Sequence, residues 1–237
     1  MTVETVILAG GRGRRLAPYT TVFPKPLMPI GDMPVLEILL RRLCAAGFTR
    51  VHLAVGHLAE LIEAYFGDGS RFGVELLYWR EDQPLGTAGP LAMIESDALR
   101  YLVLNGDLFT TIDFGEVVAA HERAGAIASI AVRRREVATE FGVVHIEHGA
   151  VKSFEEKPVL AYDVSMGIYV FERTVLRWIE RDTPLDFPVL LDRLLQAGER
   201  VAVHRSEDFW LDIGRPEDYE HALDSWDEMR AQMLGSS

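Results

Sequence analysis

With 237 residues, 49% hydrophobic and 25% charged, the chain is long enough for one large domain with a full core or two small ones. A formal charge of −12 and a pI near 5.0 exclude non-specific binding to nucleic acid or to an anionic membrane surface. The single cysteine, Cys44, excludes an internal disulfide; with a charged Glu4 where a secretory leader would be apolar and no run of membrane-spanning length, the expected setting is the cytoplasm.

In chain order, a β-rich run at 6–8 feeds directly into a loop with glycines at 10, 11 and 13, followed by Arg14 and Arg15. Lys25 sits between Pro24 and Pro26. Asp32 and Pro34 open a helical pattern carried by Leu36, Leu39, Leu40 and Leu43 and stopped by Gly47. A strand at 51–55, a helix at 59–66 and a strand at 74–79 follow, then a loop rich in charge and proline, a helix at 87–96 and a strand at 101–105 that stops at Gly106-Asp107. The second half is richer in strands, at 127–132, 142–146, 151–154, 164–171 and 200–204. Helices are expected at 173–180, at 187–196 behind Asp186 and Pro188, and at 216–233, where Tyr219, Leu223 and Trp226 share a face that offers a contact between copies. This alternation predicts an α/β fold with a mixed, mostly parallel sheet flanked by helices. Residues 1–234 read as one domain and 235–237 as a polar tail, in a monomer or homodimer. Ligands of such sheets sit beyond the carboxyl ends of the strands, which brings the first glycine loop, the 83–87 loop and Asp107 to one edge.

The glycine loop is neither a P-loop, since no Gly-Lys-Ser/Thr follows, nor the dinucleotide fingerprint, whose glycine spacing it lacks. A plain tight turn is the simplest alternative. Against it stand the cations: backbone N–H groups of a glycine-rich turn form a concave anion site, and Arg14, Arg15 and Lys25 add fixed positive charge, a seat for several phosphates. Asp107 reads either as a turn or cap residue or as a ligand. Asp212 lies between Trp210-Leu211 and Ile213-Gly214, where a carboxylate needs a metal or a buried arginine as partner.

The segment 8–28 resembles the signature of the sugar-1-phosphate nucleotidylyltransferases, the nucleotide-sugar pyrophosphorylases. Three more stretches match in order: Pro84-Leu85-Gly86-Thr87-Ala88-Gly89, Asn105-Gly106-Asp107 and Glu155-Glu156-Lys157-Pro158. The run from Trp210 to Tyr219 closes the set and looks most like the mannose-1-phosphate guanylyltransferase branch. The resemblance implies a Rossmann-like, glycosyltransferase-A type sheet and a reaction between a nucleoside triphosphate and a sugar 1-phosphate. It implies Mg2+ held by Asp107 and Asp212, with Arg15, Lys25 and Asp107 as catalytic residues. Leu8, Ala9, Gly10, Gly11, Gly13, Arg14, Arg15, Glu81, Gly86 and Thr87 would bind the nucleotide; Gly142, Glu156, Lys157 and Gly167 would meet the sugar phosphate. Arg14 departs from the usual Thr or Ser, and either adds a cation or faces solvent.

Guanine presents two N–H donors on one edge, which a carboxylate accepts as a pair; uracil and thymine suit a glutamine amide. Glu81 occupies the aligned glutamine position of the uridylyl and thymidylyl branch, which favours GTP, with dTTP or UTP as the alternative. A reading from another class is a non-catalytic nucleotide-sugar-binding regulatory subunit.

Overall fold

The computed structural model describes residues 3–234; the 235–237 tail lies outside the described residues. Among the described residues, thirteen strands and five α-helices run in the order β1 (Val3–Ala9), β2 (Pro29–Ile30), β3 (Met33–Pro34), α1 (Val35–Ala45), β4 (Arg50–Val55), α2 (Ala59–Phe66), β5 (Glu75–Arg80) and β6 (Arg100–Asn105). Then come β7 (Leu108–Thr110), α3 (Phe114–Ala124), β8 (Ala128–Ala138), β9 (Val143–Glu147), β10 (Ala150–Glu155), β11 (Val159–Glu172), α4 (Phe187–Gln196), β12 (Val201–Arg205), β13 (Trp210–Asp212) and α5 (Pro216–Leu234).

Seven strands form the central sheet in the order β12-β8-β11-β6-β1-β4-β5. β6, β1, β4 and β5 are mutually parallel, as is β12 with β8, while β11 runs antiparallel to both its neighbours. β1, β4 and β6 read as continuous apolar runs because both faces of the sheet are covered, by a cluster around Leu36, Leu53 and Leu104 on one side and one around Val6, Val103 and Phe187 on the other. The register sets the site. Ala9 pairs with Val55, Val55 with Arg80 and Leu8 with Asn105, so the next residues, Gly10, Gly56, Glu81 and Gly106, emerge in one row at the carboxyl edge. The chain leaves β1 towards β4 and later returns to its other side at β6, and the β1/β6 crevice is therefore the topological switch point where such sheets take ligands.

Three expectations are corrected. The helix expected at 87–96 is a 3-10 turn, Gly89–Met93, because the N–H groups of Ala88 and Gly89 both donate to the Leu185 carbonyl, at 2.8 and 3.0 Å, and Pro90 supplies no donor. The one expected at 173–180 is likewise a 3-10 turn, Arg173–Trp178, held to the sheet by Arg173 N–H on the Leu99 carbonyl at 2.8 Å. Trp226 offers no contact between copies: it is buried against Phe109 and the glycine turn at Gly31. Residues 108–126, given no element from the sequence, carry β7 and α3, the latter capped by Asp113 accepting from Glu116 N–H at 3.0 Å.

Candidate active site

A cavity of about 460 Å³ opens at the β1/β6 crevice. Its floor is Leu8, Ala9, Gly10 and Gly11 at the end of β1, with Asn105, Gly106 and Asp107 at the end of β6. Gly106 N–H donates to the Leu8 carbonyl at 2.9 Å, and a Cβ on Gly106 would stand 2.9 Å from that oxygen, so the strand ends close tightly only because this residue has no side chain.

The cations come from two short turns. Gly13 begins a 3-10 turn, Arg14–Leu16, whose Leu16 is buried among Ile30, Phe109 and Leu211. Thr20 Oγ1 donates to the Gly13 carbonyl at 2.8 Å and steadies the turn. With Leu16 pinned in the core, Arg14 and Arg15 reach the cavity wall. Arg14, left open between cation and solvent, thus lines the cavity, together with Gly13. Pro24 starts a second 3-10 turn, Lys25–Leu27, whose Pro26 and Leu27 are buried, which aims Lys25 inward.

The acids are joined by a ladder that the sequence does not reveal. β13 pairs antiparallel with β7, Asp212 opposite Leu108, and Ile213 N–H donates to the Asp107 carbonyl at 3.0 Å. Asp107 and Asp212 are thereby brought to the two sides of the Lys25 ammonium. Asp107 Oδ2 accepts from it, and Asp212 Oδ1 lies 3.6 Å away. Asp107 Oδ1 and Asp212 Oδ1 are both buried, and among the described residues neither has a hydrogen-bond partner. Burial pushes the Lys25 ammonium below its ordinary pKa; Asp212 opposes that shift, and Arg15 adds to it. Gly214 completes the corner: a Cβ there would be 2.7 Å from Arg15 Nη2 and 2.9 Å from Asp212 Oδ1.

On the opposite wall stand Glu81, Gly86 and Thr87. Thr87 is held by helix α4: its N–H donates to Asp186 Oδ1 at 2.9 Å, and its Oγ1 accepts from Phe187 N–H at 2.8 Å. Asp186, expected to cap its own helix, instead anchors the loop, and Thr87 does the capping. Glu81 follows β5; its Oε2 accepts from Leu85 N–H at 2.9 Å, and its Oε1 lies against the Cα of Gly10, where a Cβ would collide. Burial raises the Glu81 carboxyl above the usual carboxylate pKa, a shift the Leu85 hydrogen bond only partly offsets.

The four residues assigned to the sugar phosphate are placed differently. Gly142, Glu156 and Lys157 belong to the extension formed by the outer parts of β8 and β11 and the β9–β10 hairpin; none of them lines the cavity, and Glu156 and Lys157 are exposed. Gly167, with φ 71°, packs against the amide of Asn105, behind the cavity floor. Asn105 and Gly214 are cavity residues not singled out from the sequence, although both stand inside the motifs that carry the resemblance.

The profile of one family, described as nucleotidyl transferase, matches residues 4–228. The chain belongs to the nucleotidyl transferase family. Within it, the chain is 35% identical over 244 residues to a UTP–glucose-1-phosphate uridylyltransferase from Synechocystis, covering 93% of this chain and 62% of that one. It is 36% identical over 225 residues to the mannose-1-phosphate guanylyltransferase catalytic subunit beta of Drosophila melanogaster, covering 91% and 60%. The chain thus spans about three fifths of the length of these curated relatives. The solved structure of HddC from Yersinia pseudotuberculosis complexed with GMP-PN superposes with a TM-score of 0.73 at 26% identity, covering 95% of this chain and all of that one. The sequence-based family and fold assignments therefore hold for this nucleotidyl transferase. Among the described residues no helix is long and apolar enough to cross a membrane.

Proposed function

We propose that this chain is a sugar-1-phosphate nucleotidylyltransferase, joining a nucleoside triphosphate to a sugar 1-phosphate and releasing pyrophosphate. One observation carries the reading: two carboxylate oxygens, from Asp107 and Asp212, are buried without hydrogen-bond partners beside a lysine and two arginines in one cavity. A buried carboxylate oxygen with no partner is costly. A hard divalent cation offsets that cost, and a pair of carboxylates suits Mg2+, which takes its remaining ligands from water and phosphate oxygens. When bound, Mg2+ would neutralise phosphate charge and favour departure of pyrophosphate.

The protein's own groups do the rest. Both substrates are polyanions, and their repulsion falls when Arg14, Arg15 and Lys25 surround the phosphates. An oxygen of the sugar phosphate attacks the α-phosphorus, and the bond from that phosphorus to the oxygen bridging the β-phosphate breaks, its electrons leaving with pyrophosphate. The nucleophile is already ionised, so no general base is required. Lys25, buried between the two acids, is placed to shift from Asp107 to the α-phosphate as charge builds there. Arg15 would hold the β- and γ-phosphates.

The base would lie over Leu8 and Gly10 against Gly86 and Thr87. Glu81 Oε1 and the second lone pair of Oε2 can accept a pair of N–H groups from guanine, which favours GTP. Two relatives named for UTP and mannose-1-phosphate guanylyl transfer stand at nearly equal identity, so UTP is the competing reading. Glu156 and Lys157 are proposed to hold a hexose, amino-sugar or heptose 1-phosphate, and the single cysteine supports a cytoplasmic setting.

The test is a matrix of nucleoside triphosphates against sugar 1-phosphates, read as pyrophosphate release with and without Mg2+. Release that needs both substrates and the metal, greatest with GTP, supports the reading. No release from any pair rejects the enzyme reading in favour of a binding subunit, and tenfold faster turnover with UTP or dTTP rejects guanine.

A further inference from the structure

The cavity wall at Gly86 and Thr87 is moored to a segment 99 residues further along the chain. Six hydrogen bonds join residues 85–89 to residues 185–187. Leu185 N–H donates to the Leu85 carbonyl at 2.9 Å, and the Leu185 carbonyl accepts from Ala88 and Gly89 N–H, at 2.8 and 3.0 Å. Asp186 Oδ1 accepts from Thr87 N–H at 2.9 Å and from Thr87 Oγ1 at 3.3 Å, and Thr87 Oγ1 accepts from Phe187 N–H at 2.8 Å. The fit is close. A Cβ on Gly86, whose φ is 75°, would stand 2.6 Å from the Leu185 carbonyl oxygen and 2.8 Å from Asp186 Oδ1. The mooring is itself fixed to the sheet, since the ring of Phe187 is buried with its centroid 4.2 Å from that of Tyr169 and 5.6 Å from that of Phe171.

Local chemistry would use Asp186 otherwise. An aspartate just ahead of a helix ordinarily accepts from that helix's own first N–H groups. Asp186 makes no such bond: its oxygen goes to Thr87, and the Phe187 N–H goes to Thr87 in return. A helix cap is thereby spent on fixing a loop. The mooring also reaches Glu81, because Leu85, held through its carbonyl by Leu185, donates its N–H to Glu81 Oε2 at 2.9 Å. Of the N–H groups of residues 85–89, that of Gly86 alone has no protein partner among the described residues, and Gly86 lines the cavity. Asp186 does not line it. We propose that Asp186 is a positioning residue for the nucleoside triphosphate: by holding Thr87 it sets the base-side wall before the nucleotide arrives. The inference rests on the nucleotidylyltransferase reading and names what holds one wall of that site. Arg15, Lys25, Asp107 and Asp212 stand on the other side of the cavity and make none of these bonds, so the effect of Asp186 falls on nucleotide binding and not on the chemical step.

Calorimetric titration with GTP or UTP, whichever the chain turns over faster, tests it together with steady-state kinetics. In Asp186→Ala the Kd and KM for that nucleotide should rise about fivefold, the worth of one exposed hydrogen bond to a carboxylate. The kcat and the KM for the sugar phosphate should stay within about twofold of wild type. Asp186→Asn, whose amide oxygen still accepts from Thr87 N–H, should restore most of the affinity. A merely structural Asp186 would lower the melting temperature and leave the Kd of the folded chain unchanged, which overturns the proposal. So does a loss carried by kcat, or an Asn variant as weak as the Ala variant. Should Asp186→Ala fail to fold, hydrogen exchange of the wild-type chain decides: the nucleotide should slow exchange over 84–89 and 183–187 together, and protection confined to 84–89 overturns the proposal. A wild-type chain that binds neither nucleotide rejects the catalytic reading and this inference with it, whereas equal binding by wild type and Asp186→Ala rejects the positioning role alone.

Discussion

The inner and outer halves of β11 belong to different worlds. From Met166 to Phe171 the strand is buried in the seven-strand sheet; from Val159 to Asp163 it is exposed, continuing into the ribbon that bears Gly142, Glu156 and Lys157. The cavity floor inherits the rigidity of the inner half: each of its groups is a fixed number of residues past a strand end whose register is locked on both sides. The outer half has only β8 beside it. Groups acting on developing charge must be held in place before reaction, whereas groups that grip a substrate can be brought to it by binding. The contrast predicts losses in kcat for the floor and in KM for the extension.

The strongest test of that contrast is Asp107→Asn. Removing one of the two acids should lower kcat by about 10³-fold or more while the chain still folds. Ordinary turnover in this variant would remove the metal assignment. Lys25→Met follows, with an expected loss of about 10²–10³-fold in kcat and little change in KM for either substrate. A variant that merely raised KM would place Lys25 with the gripping groups.

Glu81→Gln sharpens the comparison on the nucleotide side. The ratio of kcat/KM for GTP over UTP should fall by about 10–100-fold, the worth of one paired hydrogen-bond contact to a base. The sign of its pH dependence follows from burial. The Glu81 carboxyl has a pKa above the ordinary range, so its ionised form, which guanine needs, is lost as pH falls through that raised value, sooner than for an exposed glutamate. The GTP:UTP ratio should therefore decline on acidification in the wild-type chain and stay level in Glu81→Gln. The smallest effect is expected for Lys157→Ala: KM for the sugar phosphate about tenfold higher, kcat and the nucleotide KM nearly unchanged, from the loss of one exposed charged contact.

Much of the site was legible because its chemistry demands unusual residues in fixed order. Gly10, Gly11, Gly13 and Gly106 announce a backbone that approaches something closely, and a lysine between prolines announces a cation with little freedom to lose. The elements that escaped did so for physical reasons. The 87–96 segment has a helical pattern, yet the Leu185 carbonyl 97 residues after Ala88 draws away its backbone donors. α3 escaped although Asp113 and Gly125 bracket it, since its buried face mixes Val117 and Val118 with a histidine, His121, hydrogen-bonded to Ser129 at 2.7 Å. Likewise Thr87 and Asp186 exchange roles across a gap of 99 residues, a pairing local propensity cannot express.

By itself the sequence determined the α/β alternation, the identity of the cations and acids, and the turns that carry them, because these depend on side-chain chemistry and on φ preferences within a few residues. Only the tertiary structure decided that Asp212 meets Asp107 around Lys25, since the β7–β13 ladder joins residues about a hundred apart. It alone also decided that Glu156 and Lys157 stand on an exposed ribbon and Trp226 in the core. Burial and long-range pairing are properties of the packed chain, and the free energy that enforces them is spread over contacts no local stretch contains.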